Sequence, residues 1–268
     1  MRIIVCVKEV LDPDAVNNYA IADRLVIGED GKTLTQTAIP RLMNGFDEQA
    51  LEAALRLRDA GADCTIVVVS VGPDPTALLK HAASLGADEI VAIPADPATL
   101  DHHAVASLLT AYVRSSEGAD LLLFGRQASD DDQGVVFALI GEALDMPIVT
   151  VARALELADG PVLRVTRVTP DGDEVVEVSC PAIVTVSNEL GDPRYPTAAK
   201  KLAARRKKPT VVAVDDLSLS AQQLQPRATL TRQFVPMIQG NCKFLSGDTA
   251  AALGDSLIER LREDGTIQ

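Results

Sequence analysis

From Arg2 to Leu144 the chain alternates short aliphatic runs with segments of helical period, and this alternation constrains its fold more than any other feature. Residues 2–8 (RIIVCVK), Thr65 to Val71, Glu89 to Ile93 and Asp120 to Phe124 are β-rich runs of strand length, several closed by Gly or Pro. Between them, Asp47 to Ala60, Pro75 to Leu85, Asp101 to about Ser116 and Gly134 to Leu144 carry apolar residues at helical spacing, with Gly61 and Gly86 as stops and Asp101 as a cap. Such spacing implies βαβ units, right-handed crossovers and an α/β fold with a mostly parallel sheet flanked by helices. Aromatic residues make up only 3% of the chain and Trp is absent, so the core must be aliphatic, as a sheet buried on both faces requires.

The pattern changes after Pro147. Val149–Ala154, Val162–Thr169, Glu174–Ser179 and Ala182–Ser187 read as strands separated by Asp/Gly/Pro turns, that is, antiparallel additions followed by a return to the sheet. Residues 24–28 and 33–37 flank an Asp30-Gly31 step and predict a hairpin. Residues 188–210 are polar and basic. Residues 215–247 have little periodicity and read as an extended arm, followed by an amphipathic helix from Thr249 to Glu263. The expected division is an α/β domain over 1–210 and a C-terminal arm and helix over 211–268, which needs something to wrap around.

Net charge is −13, which disfavours nucleic acid as a partner. Positive charge is concentrated at Lys200, Lys201, Arg205, Arg206, Lys207 and Lys208, a segment suited to one acidic partner or to simple solvation. Cys6, Cys64, Cys180 and Cys242 are widely spaced, with no C-x-x-C pair, and read as reduced thiols. No apolar run reaches the ~18 residues of a membrane span, and Met1 leads directly into a strand, so a cytoplasmic protein without membrane insertion is expected.

Ligands of an open parallel sheet bind where strands present their C-terminal ends. The expected ends carry Lys8-Glu9, Ser70-Val71-Gly72 and Gly125-Arg126-Gln127-Ala128-Ser129-Asp130. Gly125 would let backbone approach a ligand, and a loop entering a helix at Gly134 would aim free N–H groups at an anion. A plain connection capped by Ser129 or an aspartate accounts for the same residues, and Asp130-Asp131-Asp132 is a solvated entry or a Mg²⁺ site. The chain has neither a G-x-x-x-x-G-K-[ST] nor a G-x-G-x-x-G motif there, so triphosphate hydrolysis and a dinucleotide fingerprint are poorly supported. Asn44-Gly45-Phe46-Asp47-Glu48 is a capped turn, or places Asn44 and backbone groups on an adenine edge or ribose. No nucleophile or paired base stands out, which favours a binding or carrier role over hydrolysis.

Taken in order, these segments resemble the β subunit family of electron transfer flavoproteins. Ile3-Ile4-Val5-Cys6-Val7-Lys8-Glu9-Val10 is similar to its first strand, and Asn44-Gly45-Phe46-Asp47-Glu48 to its N-P-F-D-E segment with Gly45 in place of proline. Val68-Val69-Ser70-Val71-Gly72 and Leu85-Gly86-Ala87-Asp88 resemble its A-V-S-x-G and x-G-A-D steps. Gly125-Arg126-Gln127-Ala128-Ser129-Asp130-Asp131-Asp132 matches its G-[KR]-Q-A-x-D-x-D loop, and Cys180 to Val186 and Pro193-Arg194-Tyr195 its L-P-A-V-V-T and E-P-R-Y.

The resemblance implies an adenine nucleotide alpha hydrolase-like fold and a heterodimer with an α subunit that holds most of a redox FAD. It also implies a structural AMP lined by Cys6, Asn44 through Asp47, Val71 and Gly125 through Val136, including Gln133, Gly134 and Val135. In bifurcating members a second FAD takes that pocket. Those members tend to start a helix with D-T-x-x-T, where this chain has Asp101-His102-His103-Ala104-Val105, which favours AMP. Electrons would pass between dehydrogenases and an acceptor such as a quinone oxidoreductase, with Ala198, Lys200, Lys201, Arg205 and Arg206 facing the redox partner. Ala198-Ala199 stands where dehydrogenase-binding members have Leu-Pro, which costs apolar anchoring. A universal-stress-type nucleotide sensor is the alternative of another class; the long arm and the basic segment count against it.

Overall fold

The computed structural model describes residues 1–35, 38–96, 99–236, 240 and 242–267. In chain order its elements are β1 (Arg2–Cys6), β2 (Glu9–Leu11), α1 (Pro13–Ile21), β3 (Arg41–Met43), α2 (Gly45–Asp59), β4 (Thr65–Gly72), α3 (Thr76–Leu85), β5 (Glu89–Pro94), α4 (His102–Ser115), β6 (Leu121–Gly125) and α5 (Val136–Leu144). Then follow β7 (Ile148–Leu157), β8 (Val162–Thr169), β9 (Gly172–Ser179), β10 (Ala182–Val186), α6 (Ala198–Ala204), β11 (Thr210–Val211), α7 (Ala221–Leu224) and α8 (Ala250–Glu263).

Among the described residues one nine-stranded sheet runs β11-β5-β4-β1-β6-β10-β7-β8-β9. The seven strands from β11 to β7 are mutually parallel, and β8 and β9 continue the sheet antiparallel. The expected mostly parallel α/β sheet with antiparallel additions and a return to the sheet is therefore the fold observed. Side-chain alternation splits the core into two layers. Ile3, Val5, Ile66, Val68, Leu121 and Leu123 meet α2 and α3 on one face. Ile4, Cys6, Val67, Val69, Leu122 and Phe124 meet α4 and α5 on the other. Because β1, β4, β6 and β10 at the centre of the sheet are buried on both faces, their sequences read as continuous apolar runs.

Local chemistry sets the helix boundaries. The α4 cap is Asp101, whose Oδ1 accepts from Ala104 N at 2.9 Å. The α2 helix has Asp47 and Glu48 in its first turn and Arg56 and Arg58 in its last, which complements the helix dipole. The hairpin expected around Asp30-Gly31 is reduced to one antiparallel bridge, Ile27 to Leu34, and Gln36 and Thr37 lie outside the described residues. Asp30 Oδ1 accepts from Lys32 N and Thr33 N, so the turn forms while its flanks have little to pack on.

The chain divides into two compact units, Met1–Gln233 and Phe234–Gln268. In the first, the stretch after β11 is tied down: Arg227 N and Ala228 N donate to Asp101 Oδ2, and Gln233 N donates to Gly31 O. The second contains α8, capped by Thr249 Oγ1 accepting from Ala252 N at 3.2 Å. Among the described residues no helix is long and apolar enough to cross a membrane.

Candidate functional site: the crevice between the ends of β1 and β6

Strand order fixes the site. From β1 the chain moves outward to β4 and β5, then crosses back to β6 on the other side of β1. The carboxyl ends of β1 and β6 therefore lie side by side where the winding reverses, the place open α/β sheets leave a crevice. Lys8 leaves β1 there and Gly125 to Val135 leave β6.

The N-terminus of α2 closes the crevice from one face. Asp47 is 7% exposed; its Oδ2 accepts from Lys8 N at 2.8 Å and its Oδ1 from Gly125 N at 3.1 Å, so one carboxylate joins both strand ends. Burial pushes the Asp47 carboxyl up to about 7 against the opposing pull of these hydrogen bonds. Asn44, 1% exposed, spans to the loop: Nδ2 donates to Gln127 O at 2.8 Å, and Oδ1 accepts from Ser129 N at 3.2 Å. Asn44 occupies the N-cap position of α2 without a side-chain cap bond, because its amide is committed to the loop. Gly125 is needed for approach to this helix: a Cβ there would lie 2.4 Å from Asp47 Oδ1 and 2.8 Å from Asp47 N. The close approach expected at Gly125 for a ligand is thus made by the protein's own α2.

The loop itself is built from internal bonds. Arg126 N donates to Val186 O, Arg126 Nε to Gln127 Oε1 at 3.1 Å, and Gln127 Nε2 to Asp132 Oδ1 at 2.9 Å. The Arg126 guanidinium lies 5.7 Å from the centre of the Phe46 ring. Lys8 Nζ bridges Asp130 Oδ1 (2.7 Å) and Asp131 Oδ2 (3.0 Å), and His102 Nε2 is 3.1 Å from the same Asp131 oxygen. Burial alone would depress the Lys8 ammonium, but the hydrogen bonds and charge of Asp130 and Asp131 leave it raised. Asp131 is held low in turn: burial alone would raise it, but the charge and hydrogen bond of Lys8, together with the hydrogen bonds of His102 and Gln133 N, leave it lowered. The expected cap by Ser129 or an aspartate is not made. Val135 sits at the N-cap of α5 without a cap bond, preceded by Gly134 at φ +56°. Among the described residues the N–H groups of Gly134, Val135 and Val136 have no backbone acceptor, so the start of α5 offers unsatisfied donors. The described residues hold no cluster of metal-ligating side chains.

Of the other expected residues, Cys6 is buried, with its thiol pushed up by that burial, and Val71 is half-buried at the end of β4. Ala198, Lys200, Lys201, Arg205 and Arg206 are exposed on or beside α6. Lys207 is not free: its Nζ donates to Ala87 O at 3.0 Å and to Asp88 O. Sequence reasoning did not single out Glu52, whose carboxylate anchors Arg194. Gly45, at the first helical position of α2, has open space at its Cβ position, and Asn44 before it lies at ψ 130°, as a residue preceding proline prefers. Gly45→Pro should therefore raise stability by about 0.4–1 kcal/mol, measured as a higher urea midpoint at unchanged m-value; a lower midpoint would refute the geometry.

An open parallel sheet with a polar, strand-end crevice is the frame of a ligand-holding α/β protein. Residues 32–217 match the electron transfer flavoprotein domain. The chain is similar to the caffeyl-CoA reductase–Etf complex subunit CarD of Acetobacterium woodii, 32% identical over 273 residues covering all of both chains. The electron transfer flavoprotein subunit beta of Thermoanaerobacterium thermosaccharolyticum is 32% identical over the same extent, and that of Bacillus subtilis 26% over 269 residues, again covering both chains in full. The chain belongs to the electron transfer flavoprotein β subunit family, and with that membership comes flavin-associated electron transfer alongside an α subunit.

Proposed function

We propose that this chain is the β subunit of a heterodimeric electron carrier that holds AMP structurally in the crevice and helps enclose the FAD carried by its α subunit. The observation that carries this reading is the unsatisfied start of α5 beside the paired ends of β1 and β6. Donors of this kind suit a phosphate. Cys6, Asn44 through Asp47, Val71 and Gly125 through Val136 would line the nucleotide. The FAD of the α subunit supplies the redox chemistry when bound; the side chains here position, and none needs to change oxidation state. Electrons would pass between dehydrogenases and an acceptor such as a quinone oxidoreductase, with residues 198–206 toward the partner and 211–268 clasping the α subunit.

A second reading, a bifurcating complex with FAD in place of AMP, is favoured by the similarity to a subunit of a reductase–Etf complex. Mass spectrometry and absorbance of the nucleotides released from the co-expressed heterodimer separate the two. One FAD and one AMP support the carrier; two FAD and no AMP support bifurcation. An adenine nucleotide on an isolated homodimer without flavin would favour a sensor. Within the carrier reading, Asp130→Ala removes one anchor of Lys8 and should lower the AMP content of the purified heterodimer; full AMP occupancy would count against the loop assignment.

A further inference from the structure

Different elements hold the two halves of the loop between β6 and α5. Asn44 ties its first half to α2, through Gln127 O and Ser129 N. Residues 129–133 are exposed, and Asp132 and Gly134 hold left-handed backbone at φ +51° and +56°. Asp132 N donates to Ala128 O, Gln127 Nε2 to Asp132 Oδ1 and Gln133 N to Asp131 Oδ1, bonds that shape the loop without fixing it to anything else. Among the described residues, the hydrogen bonds that tie residues 130–134 to another element come from two side chains. These are Lys8, beyond the end of β1, and His102, at the start of α4, and both reach Asp131 Oδ2.

His102 is mounted on a fixed post. Asp101 before it accepts from Ala104 N through Oδ1, and through Oδ2 from Arg227 N at 2.7 Å and Ala228 N at 3.0 Å. From that post His102 Nε2 reaches to 3.1 Å from Asp131 Oδ2; an ionised carboxylate only accepts, so the imidazole donates. Lys8 Nζ binds the same oxygen at 3.0 Å, so the end of β1, the loop and α4 are joined at one atom. The half of the loop they hold leads directly into the free N–H groups of Gly134, Val135 and Val136. The His102 and Asp131 side chains are each 33% exposed, a setting in which an ion pair adds little to folding stability and can open and close with a ligand.

We propose that the His102–Asp131 bond is a latch on the crevice: it holds the phosphate-facing half of the loop against α4 and so keeps a bound mononucleotide from exchanging. This inference rests on the nucleotide reading of the crevice. His102 and Asp131 are positioning residues, which act on the ligand through the loop; the backbone N–H groups of residues 134–136 make the contact to phosphate. For the nucleotide to leave, these donors must move away from it, and the loop that carries them swings once Asp131 parts from α4. Lys8 is shared between Asp130 and Asp131 and can follow the loop through either carboxylate. His102 has one partner in the loop, so its bond is the one whose opening releases it.

The test uses the heterodimer co-expressed with its α subunit, mixed with excess radiolabelled AMP and sampled over time by gel filtration. Labelled AMP enters as resident AMP leaves, so its incorporation reads the rate of release. His102→Ala and Asp131→Ala should each speed incorporation about tenfold, and the double variant should be no faster than Asp131→Ala alone. His102→Gln, whose amide can still donate to Asp131, should bring the rate back towards wild type, which a general loosening of α4 would not allow. His81→Ala, which removes a histidine–carboxylate pair of similar exposure between α3 and α2, should leave the rate unchanged. Wild-type rates in both His102→Ala and Asp131→Ala overturn the latch while the nucleotide reading stands. A faster His102→Ala that His102→Gln does not reverse, or an equal gain in His81→Ala, overturns it as well. A wild-type heterodimer that neither contains AMP nor takes it up overturns the nucleotide reading, and the latch with it.

Discussion

Gly125→Ala should destabilise the protein by about 3 kcal/mol, among the larger effects available to a single methyl group. The added Cβ would stand 2.4 Å from Asp47 Oδ1, 2.7 Å from Phe46 Cβ and 2.8 Å from Asp47 N. None of these can swing aside: one is backbone, one begins a side chain, and the carboxylate is held between Lys8 N and Gly125 N. Relief requires moving either the end of β6 or the first turn of α2, and both routes break the Asp47 bond to Gly125. The displaced strand end also carries the loop, so retention of the nucleotide proposed for the crevice should fall together with the urea midpoint. Gly45→Ala, one residue before Phe46 but facing open space, is the control and should shift stability by less than about 0.5 kcal/mol. Equal effects of the two substitutions would show that the approach of α2 to β6 is not what requires glycine at 125.

The frame that holds this contact was legible because its signals are local. Continuous aliphatic runs such as Thr65–Gly72, and helices such as His102–Ser115 with Asp101 before them, are written within a few residues of one another. Elements held by caps or distant pairing were not. Helix α1 buries no side chain and depends on Asp12 accepting from Asp14 N and Ala15 N, so it shows no apolar period. Strands β2 and β3 are three residues each and pair across the long α1 excursion, with Val10 and Met43 as their buried contribution. The Asp30-Gly31 turn was legible and its strands were not formed, because turn chemistry closes a loop without guaranteeing a surface for its arms.

The site divides in the same way. The ordered run from Gly125 to Asp132 marked the loop, and the resemblance marked the family. The roles of Asn44 and Asp47 are set by partners roughly 80 positions away, at Gly125, Gln127 and Ser129, and no spacing rule reaches that far. Glu52 read as one more acidic residue on an amphipathic helix; its partner Arg194 is 142 positions on. Charge patterning sees pairs one helical turn apart, such as Glu52 with Arg56, and is blind to the fold-dependent ones.

Asp47 supplies the second large effect and a pH dependence with a definite sign. Asp47→Ala leaves the N–H groups of Lys8 and Gly125 without an acceptor in a buried crevice, a cost of about 2–6 kcal/mol at 1–3 kcal/mol for each group. Asp47→Asn keeps the shape and one acceptor but turns an amide donor toward one of those N–H groups, so it should also destabilise. Burial raises the Asp47 carboxyl to about 7, above its ordinary 3.8, so the folded state binds this proton more tightly than the unfolded chain. Its stabilising contribution is complete below pH 3.8 and is lost as pH rises through about 7. Between pH 5.5 and 8.5 that loss amounts to about 2 kcal/mol. Other groups titrate in this window in both proteins, so the informative quantity is the difference between wild type and Asp47→Asn. Urea unfolding should show the wild-type advantage shrinking by that amount from pH 5.5 to 8.5. A constant difference would mean that the two backbone donors, rather than burial, govern the carboxyl. Asp47 would then be ionised throughout this range, and the crevice between β1 and β6 would carry a fixed negative charge at its base.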